Sequence, residues 1–208
     1  MNNSSQDRRV FNTAYYRPKD KDEYYTPAIL VEPILQYIKP KSVIWCPFDK
    51  FSSEFVQVLT KQGHIVVYGH IEEGYDFFEY EPPYYDYVVS NPPFTRKLEV
   101  LDRLYKLNKP FAMILGLPIL NYQEVGEFFL DKELQLLIVD KKVSFDGNTS
   151  SFNNSYFCWG MLPKDIIFHH LEHNNSGKHY TPSGMYQRDF GEKKFGDYSN
   201  EDLNSLKH

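Results

Sequence analysis

Asn91, Pro92, Pro93 and Phe94 directly follow the apolar run Tyr85-Asp86-Tyr87-Val88-Val89-Ser90, and together they carry the parts of a clamp for a planar amino group. An exocyclic amine on a purine or pyrimidine is a poor nucleophile, because its lone pair is delocalised into the ring. Two acceptors change that. The side-chain oxygen of Asn91 and the backbone carbonyl of Pro92 can each take one N–H. Electron density then returns to the nitrogen, whose lone pair can be aimed at an electrophilic carbon. The prolines stiffen the loop so that both acceptors stay aimed. Phe94 offers a flat apolar face on which an extruded base can stack.

An Asn-Pro-Pro-aromatic tetrapeptide arises by chance in roughly one chain in several hundred of this length. Position must therefore separate a site from a proline-rich turn. The chain holds a near copy, Glu81-Pro82-Pro83-Tyr84, which precedes the apolar run. Ligands of open α/β sheets bind beyond the carboxyl ends of strands. Asn91 is accordingly read as the site and the Glu81 segment as a rigid lead-in loop.

The elements that must position this loop follow from periodicity. Apolar residues at 30, 31, 34, 35 and 38 predict a helix over 27–38, and those at 55, 56 and 59, ahead of Gly63, a helix over 51–62. The runs at 42–46 and 64–68 read as strands, completing a parallel strand–helix–strand unit. After a loop around Gly74-Tyr75-Asp76-Phe77-Phe78, the strand at 85–90 carries the motif. A helix over 98–107, a strand at 111–115, a helix at 122–130 and a strand at 135–139 come next. Segments 141–145 and 155–162, flanking a polar loop, predict a closing hairpin. Residues 1–22 read as a polar arm, 23–163 as the catalytic domain and 164–208 as a polar tail that packs little.

Composition narrows the partners. At 208 residues with 41% apolar content, the chain suits a single domain with a full core. No stretch approaches the roughly 18–20 apolar residues of a membrane span, and the start Met1-Asn2-Asn3-Ser4-Ser5 is too polar for a signal peptide. A cytoplasmic protein without membrane partners is expected. Cys46 and Cys158 are too few for a disulfide framework and lack metal-ligand spacing, so they read as buried strand residues. His169, His170 and His173 have no acidic or sulfur ligand set around them, and no metal is expected. No local nucleophile signature occurs either. A net charge of −5 disfavours a broad nucleic-acid footprint. Local basic groups remain: Arg8, Arg9, Arg17, Lys19 and Lys21 in the arm, Arg96 and Lys97 beside the motif, and Lys141 with Lys142.

An alternating α/β chain with Asn91-Pro92-Pro93-Phe94 after an apolar strand resembles the amino-methyltransferases that modify adenine in DNA. The similarity is to compact phage- and mobile-element-type versions related to restriction-modification methylases, over about residues 23–163. It implies a Rossmann-like, mostly parallel sheet with a terminal antiparallel hairpin, S-adenosylmethionine as cofactor, and a flipped adenine in DNA as acceptor. Tyr24-Tyr25-Thr26-Pro27 resembles the family's segment that lies against the cofactor before the first helix, which would bring Tyr25, Thr26 and Pro27 into that site. The same residues also read as a helix start, with Thr26 as N-cap and Pro27 in the first turn. In Gly74-Tyr75-Asp76-Phe77-Phe78 the resemblance makes Asp76 the acceptor for the cofactor's adenine amine and Phe77 the ring packed on its purine. A turn with two core phenylalanines is the other reading. Phe152 matches loosely the aromatic on the far face of the flipped base, with Phe145, Tyr156 and Phe157 as competing choices. Arg96 and Lys97 join Phe94 on the substrate side.

The cofactor loop departs from the family. It reads Cys46-Pro47-Phe48-Asp49-Lys50-Phe51-Ser52-Ser53-Glu54-Phe55, with Lys50 and Ser52 where glycines would let the backbone approach methionine. Pro47 and Asp49 stand in the cofactor loop. Asp49 can hold the methionine ammonium, with the amides of the following helix receiving the carboxylate, or it can simply cap that helix. Glu72 is the carboxylate available for the ribose hydroxyls. Three other functions keep the same residues in use: methylation of RNA, methylation of a protein glutamine amide, and a non-catalytic binding protein such as a phage-borne inhibitor built on this fold.

Overall fold

The computed structural model describes residues 26–144 and 151–171. Along the chain lie α1 (Ala28–Leu35), β1 (Val43–Cys46), α2 (Glu54–Lys61), β2 (Ile65–Tyr68), β3 (Tyr87–Ser90), α3 (Lys97–Leu107), β4 (Phe111–Gly116), α4 (Gln123–Phe128) and β5 (Gln135–Val139). Then follow β6 (Val143–Ser144), β7 (Ser151–Phe152), β8 (Asn154–Trp159) and β9 (Ile166–His169). Seven strands form one sheet in the order β2-β1-β3-β4-β8-β5-β9, while β6 and β7 pair in a separate ribbon. β8 alone in the large sheet runs against its neighbours, which makes this a mixed α/β fold with a mostly parallel sheet.

Burial on both faces explains the near-continuous apolar strands. One face presents Ile44, Cys46, Val89 and Ile114 to α1 and α2, and the other presents Trp45, Val88 and Met113 to α3. Cys46 and Cys158 are both buried strand residues, as expected. Tyr156 on β8 donates its hydroxyl to the Leu30 carbonyl at 2.6 Å, tying α1 to the sheet centre. α2 begins where Ser53 accepts from the Val56 amide, and the chain leaves it through Gly63 at φ 87°, a left-handed turn that suits glycine.

The terminal antiparallel pair expected of the sheet is present, but segment 155–162 makes it with β5 and not with 141–145. β8 is buried along most of its length and fills both of its edges, pairing with β4 on one side and β5 on the other. A fully buried strand must satisfy its backbone groups on both sides, which a two-residue partner such as β6 cannot do. β6 pairs instead with β7, Val143 opposite Phe152. Beyond Pro163 the sheet also continues, because β9 pairs in parallel with β5 through Leu136–Ile166 to Val139–His169.

The winding reverses between β1 and β3: β2 is added to one side of β1 and β3 to the other. A crevice opens at the carboxyl ends of strands at such a switch point. At the opposite end, the Glu81 segment is pinned as a lead-in. Tyr85 donates to Glu81 Oε1 at 2.7 Å, Tyr84 to Asp86 Oδ1 at 2.6 Å, and the Val43 amide to Asp86 Oδ2 at 2.8 Å.

Candidate functional site

The crevice at the switch point is a cleft of about 420 Å³, walled by the loops that follow β1, β2 and β3 and by Thr26, two residues ahead of α1. Asn91, Pro92, Pro93 and Phe94 form one wall. Ser90, the last residue of β3, is fully buried, and a short 3-10 turn begins at Phe94, so the tetrapeptide crosses the mouth of the sheet between two anchored ends. Pro47 and Asp49 from the loop after β1, and Thr26, also line the cleft. Asp76 and Phe77 close a further side.

Ten expected site residues thus share one cavity wall: Thr26, Pro47, Asp49, Asp76, Phe77, Asn91, Pro92, Pro93, Phe94 and Arg96. Others lie apart from it. Pro27 is the N-cap of α1 and contributes no side-chain cap, so the alternative in which Thr26 caps the helix does not hold. Glu72 sits on the turn after β2, its side chain 60% exposed and paired with Lys50 at 2.7 Å. Lys97 is the first residue of α3, its ammonium 5.9 Å from the Tyr122 ring centre. Tyr25 and the side chain of Phe152 lie outside the described residues, as do Phe145, His173 and the basic residues of the arm. Tyr156 and Phe157, the competing aromatics, are core residues.

Asp49 is the electrostatic centre of the cleft. It is buried, and both carboxylate oxygens are engaged: Oδ1 accepts from Ser53 Oγ at 2.7 Å and Oδ2 from Ser90 Oγ. The helix cap, the loop after β1 and the end of the motif strand are therefore held by one carboxylate. Burial raises its pKa from 3.8 to about 6, and the two hydroxyl bonds work in the opposite direction. Asp76 is arranged differently. Its Oδ1 accepts from the Phe78 amide at 2.8 Å, an Asx turn that fixes the side chain at the cleft wall.

Phe77 combines the two readings of its segment. It is only 3% exposed and packs against Trp45 and Phe48, with ring centres 5.4 and 4.9 Å away, yet it contributes to the cleft wall. Phe48 lines the same wall and was missed, because an aromatic between proline and aspartate gives no periodic signal. Arg96 donates twice to Glu99 Oε2, at 2.6 and 3.1 Å, and its guanidinium lies 3.8 Å from the Phe78 ring centre. A phosphate would have to compete for it.

Asn154, at the start of β8 opposite Gly116, also went unsuspected. It is 3% exposed, and both amide atoms are buried without a hydrogen-bond partner among the described residues. Leaving such atoms unsatisfied is destabilising. Asn154→Leu, of similar size, is expected to raise stability by about 1–2 kcal/mol. Urea denaturation checks this, and a clear loss would show that the amide is engaged after all.

Among the described residues, no group of three or more His, Cys, Asp or Glu could hold a metal, and no helix is long and apolar enough to cross a membrane. His170 Nδ1 is instead bonded to Asp140 Oδ2.

No protein-family model matches this sequence, and no curated protein matches it. Among solved structures the chain is similar to a Listeria monocytogenes protein assigned to the class I S-adenosylmethionine-dependent methyltransferases, with 14% identity and a TM-score of 0.38. The match covers 69% of this chain and 62% of the other, so the chain spans less than two thirds of that protein's length.

Proposed function

We propose that this protein is an S-adenosylmethionine-dependent methyltransferase acting on the exocyclic amino group of adenine in DNA. The observation that supports this best is the meeting, in one cleft, of the Asn91-Pro92-Pro93-Phe94 clamp with Asp49, Asp76 and Phe77. The donor set fits the cofactor. A cleft of about 420 Å³ lies within the size range of small-molecule sites. Asp76 offers an acceptor for the adenine amine, Phe48 and Phe77 offer apolar ring surface, and the buried Asp49 offers an anion for a cationic amino acid. S-adenosylmethionine supplies, when bound, an electrophilic methyl group on a sulfonium.

The chain's own residues have simple tasks in this reading. Asn91 Oδ1 and the Pro92 carbonyl hold the two N–H groups of the acceptor amine and aim its lone pair. Phe94 supports the extruded ring. No general base is needed for the transfer itself, since the nitrogen sheds its surplus proton to solvent after it becomes cationic. Orientation and the two fixed acceptors supply most of the acceleration.

Incubation with methyl-labelled S-adenosylmethionine and, separately, duplex DNA, RNA and protein tests the reading. Label is expected in DNA. Label in RNA or at a glutamine amide would move the substrate class while keeping the clamp. Donor binding without transfer to any acceptor would leave a binding protein on this fold.

A further inference from the structure

Lys50 occupies a position where the resemblance calls for glycine, and Glu72 was expected at the ribose. The structure places these two side chains against each other, Lys50 Nζ 2.7 Å from Glu72 Oε2. The segments that carry them are stitched together by backbone. The Asp49 amide donates to the Gly69 carbonyl at 3.1 Å and the Gly69 amide to the Cys46 carbonyl at 3.3 Å, forming an isolated bridge. The loop after β1 thus carries a buried carboxyl group, Asp49, next in sequence to a lysine, Lys50, and both line the cavity.

We propose that Lys50 is the receptor for the carboxylate of the donor's amino-acid moiety, with Glu72 as its exchangeable partner. This deepens the methyltransferase reading and rests on it. A glycine-rich turn receives a carboxylate on closely approaching backbone amides, which side chains at positions 50 and 52 obstruct. An ammonium on a long flexible stem performs the same task from a greater distance. The amino-acid end of the donor is a zwitterion, so it needs opposite charges side by side. Asp49 and Lys50 supply one of each sign, and Asp76, Phe48 and Phe77 line the same cleft for the purine. Arg96, also in the wall, is already held by two bonds to Glu99 and by the Phe78 ring. In the Lys50 pair the Glu72 side chain is 60% exposed and that of Lys50 25%, so water reaches the contact from the Glu72 side.

Calorimetric titration with two probes isolates the carboxylate. S-adenosylhomocysteine carries the amino-acid end, and 5′-methylthioadenosine lacks it. Lys50→Ala is expected to weaken S-adenosylhomocysteine about tenfold or more, the scale of one charge-assisted hydrogen bond, and to leave 5′-methylthioadenosine within about twofold. Lys50→Arg should recover most of the lost affinity. Glu72→Gln should hold or tighten S-adenosylhomocysteine binding, since it removes the competitor. Unchanged S-adenosylhomocysteine affinity in Lys50→Ala overturns the assignment, as does an equal loss for both probes. Should the unaltered protein bind neither probe, the methyltransferase reading itself fails and takes this assignment with it.

Discussion

Asn91→Ala is expected to lower methyl transfer by about 10²-fold or more, the scale of losing one preorganised polar contact, while the protein stays folded. The substitution removes one acceptor of the target amine and leaves both prolines. Pro92 remains buried at the end of β3, and the pairing of β3 with β1 and β4 is made by backbone that the substitution does not touch. Donor affinity should change far less than turnover, because Asp49, Asp76 and Phe77 are unaltered. Phe94→Ala should act differently, weakening engagement of the extruded base by roughly 1–3 kcal/mol, the range for base–aromatic stacking. Melting temperature, donor affinity and product formation on the same preparations separate the outcomes. An Asn91→Ala protein that unfolds would mark the tetrapeptide as a structural turn.

Asp49→Asn should stabilise the protein at neutral pH and impair donor binding. The sign follows from burial. The carboxyl has a pKa of about 6 in the folded protein and 3.8 as its ordinary value, so folding favours the protonated form. Below about pH 4 the group is protonated in both states and burial carries no charge penalty. As the pH rises through 6 the penalty develops fully, up to about 3 kcal/mol for a shift of this size. Asparagine can accept from one of Ser53 and Ser90 and donate to the other, so it preserves the ties and removes the charge. A gain of about 1–3 kcal/mol at pH 7, with the stability change between pH 4 and 6 flattened, is expected. A buried, costly carboxylate in a cleft is a sign of function. For the unaltered protein, affinity for a cationic ligand should fall roughly tenfold from pH 7.5 to pH 5, as the ionised fraction of a group titrating near 6 falls. Thermal unfolding across pH and calorimetry with S-adenosylmethionine read both effects. A destabilised Asp49→Asn protein with normal donor affinity would make Asp49 purely structural.

The strand and helix positions were legible because burial on one or both faces writes a period into the sequence. β5 coincides with its expected span, and α3 begins one residue early. The clamp was legible because its residues are contiguous and follow β3. Pairing partners were not legible. Periodicity reports that Ser155-Tyr156-Phe157-Cys158 is buried but not that it inserts between β4 and β5. β9 was hidden for another reason: it is an edge strand with Ile166 and Phe168 exposed, set among histidines and charges. The ties of Asp49 to Ser90 and of Lys50 to Glu72 join residues 41 and 22 positions apart, so only the fold brings them together.

Nucleoside digestion and mass spectrometry of duplex DNA, after incubation with this protein and S-adenosylmethionine, test the central claim most directly. Deoxyadenosine carrying one additional methyl group on its amino nitrogen should accumulate with the unaltered protein and nearly vanish with a folded Asn91→Ala protein. Equal methylation by both proteins, or methyl groups on another base, would contradict the role assigned to the clamp.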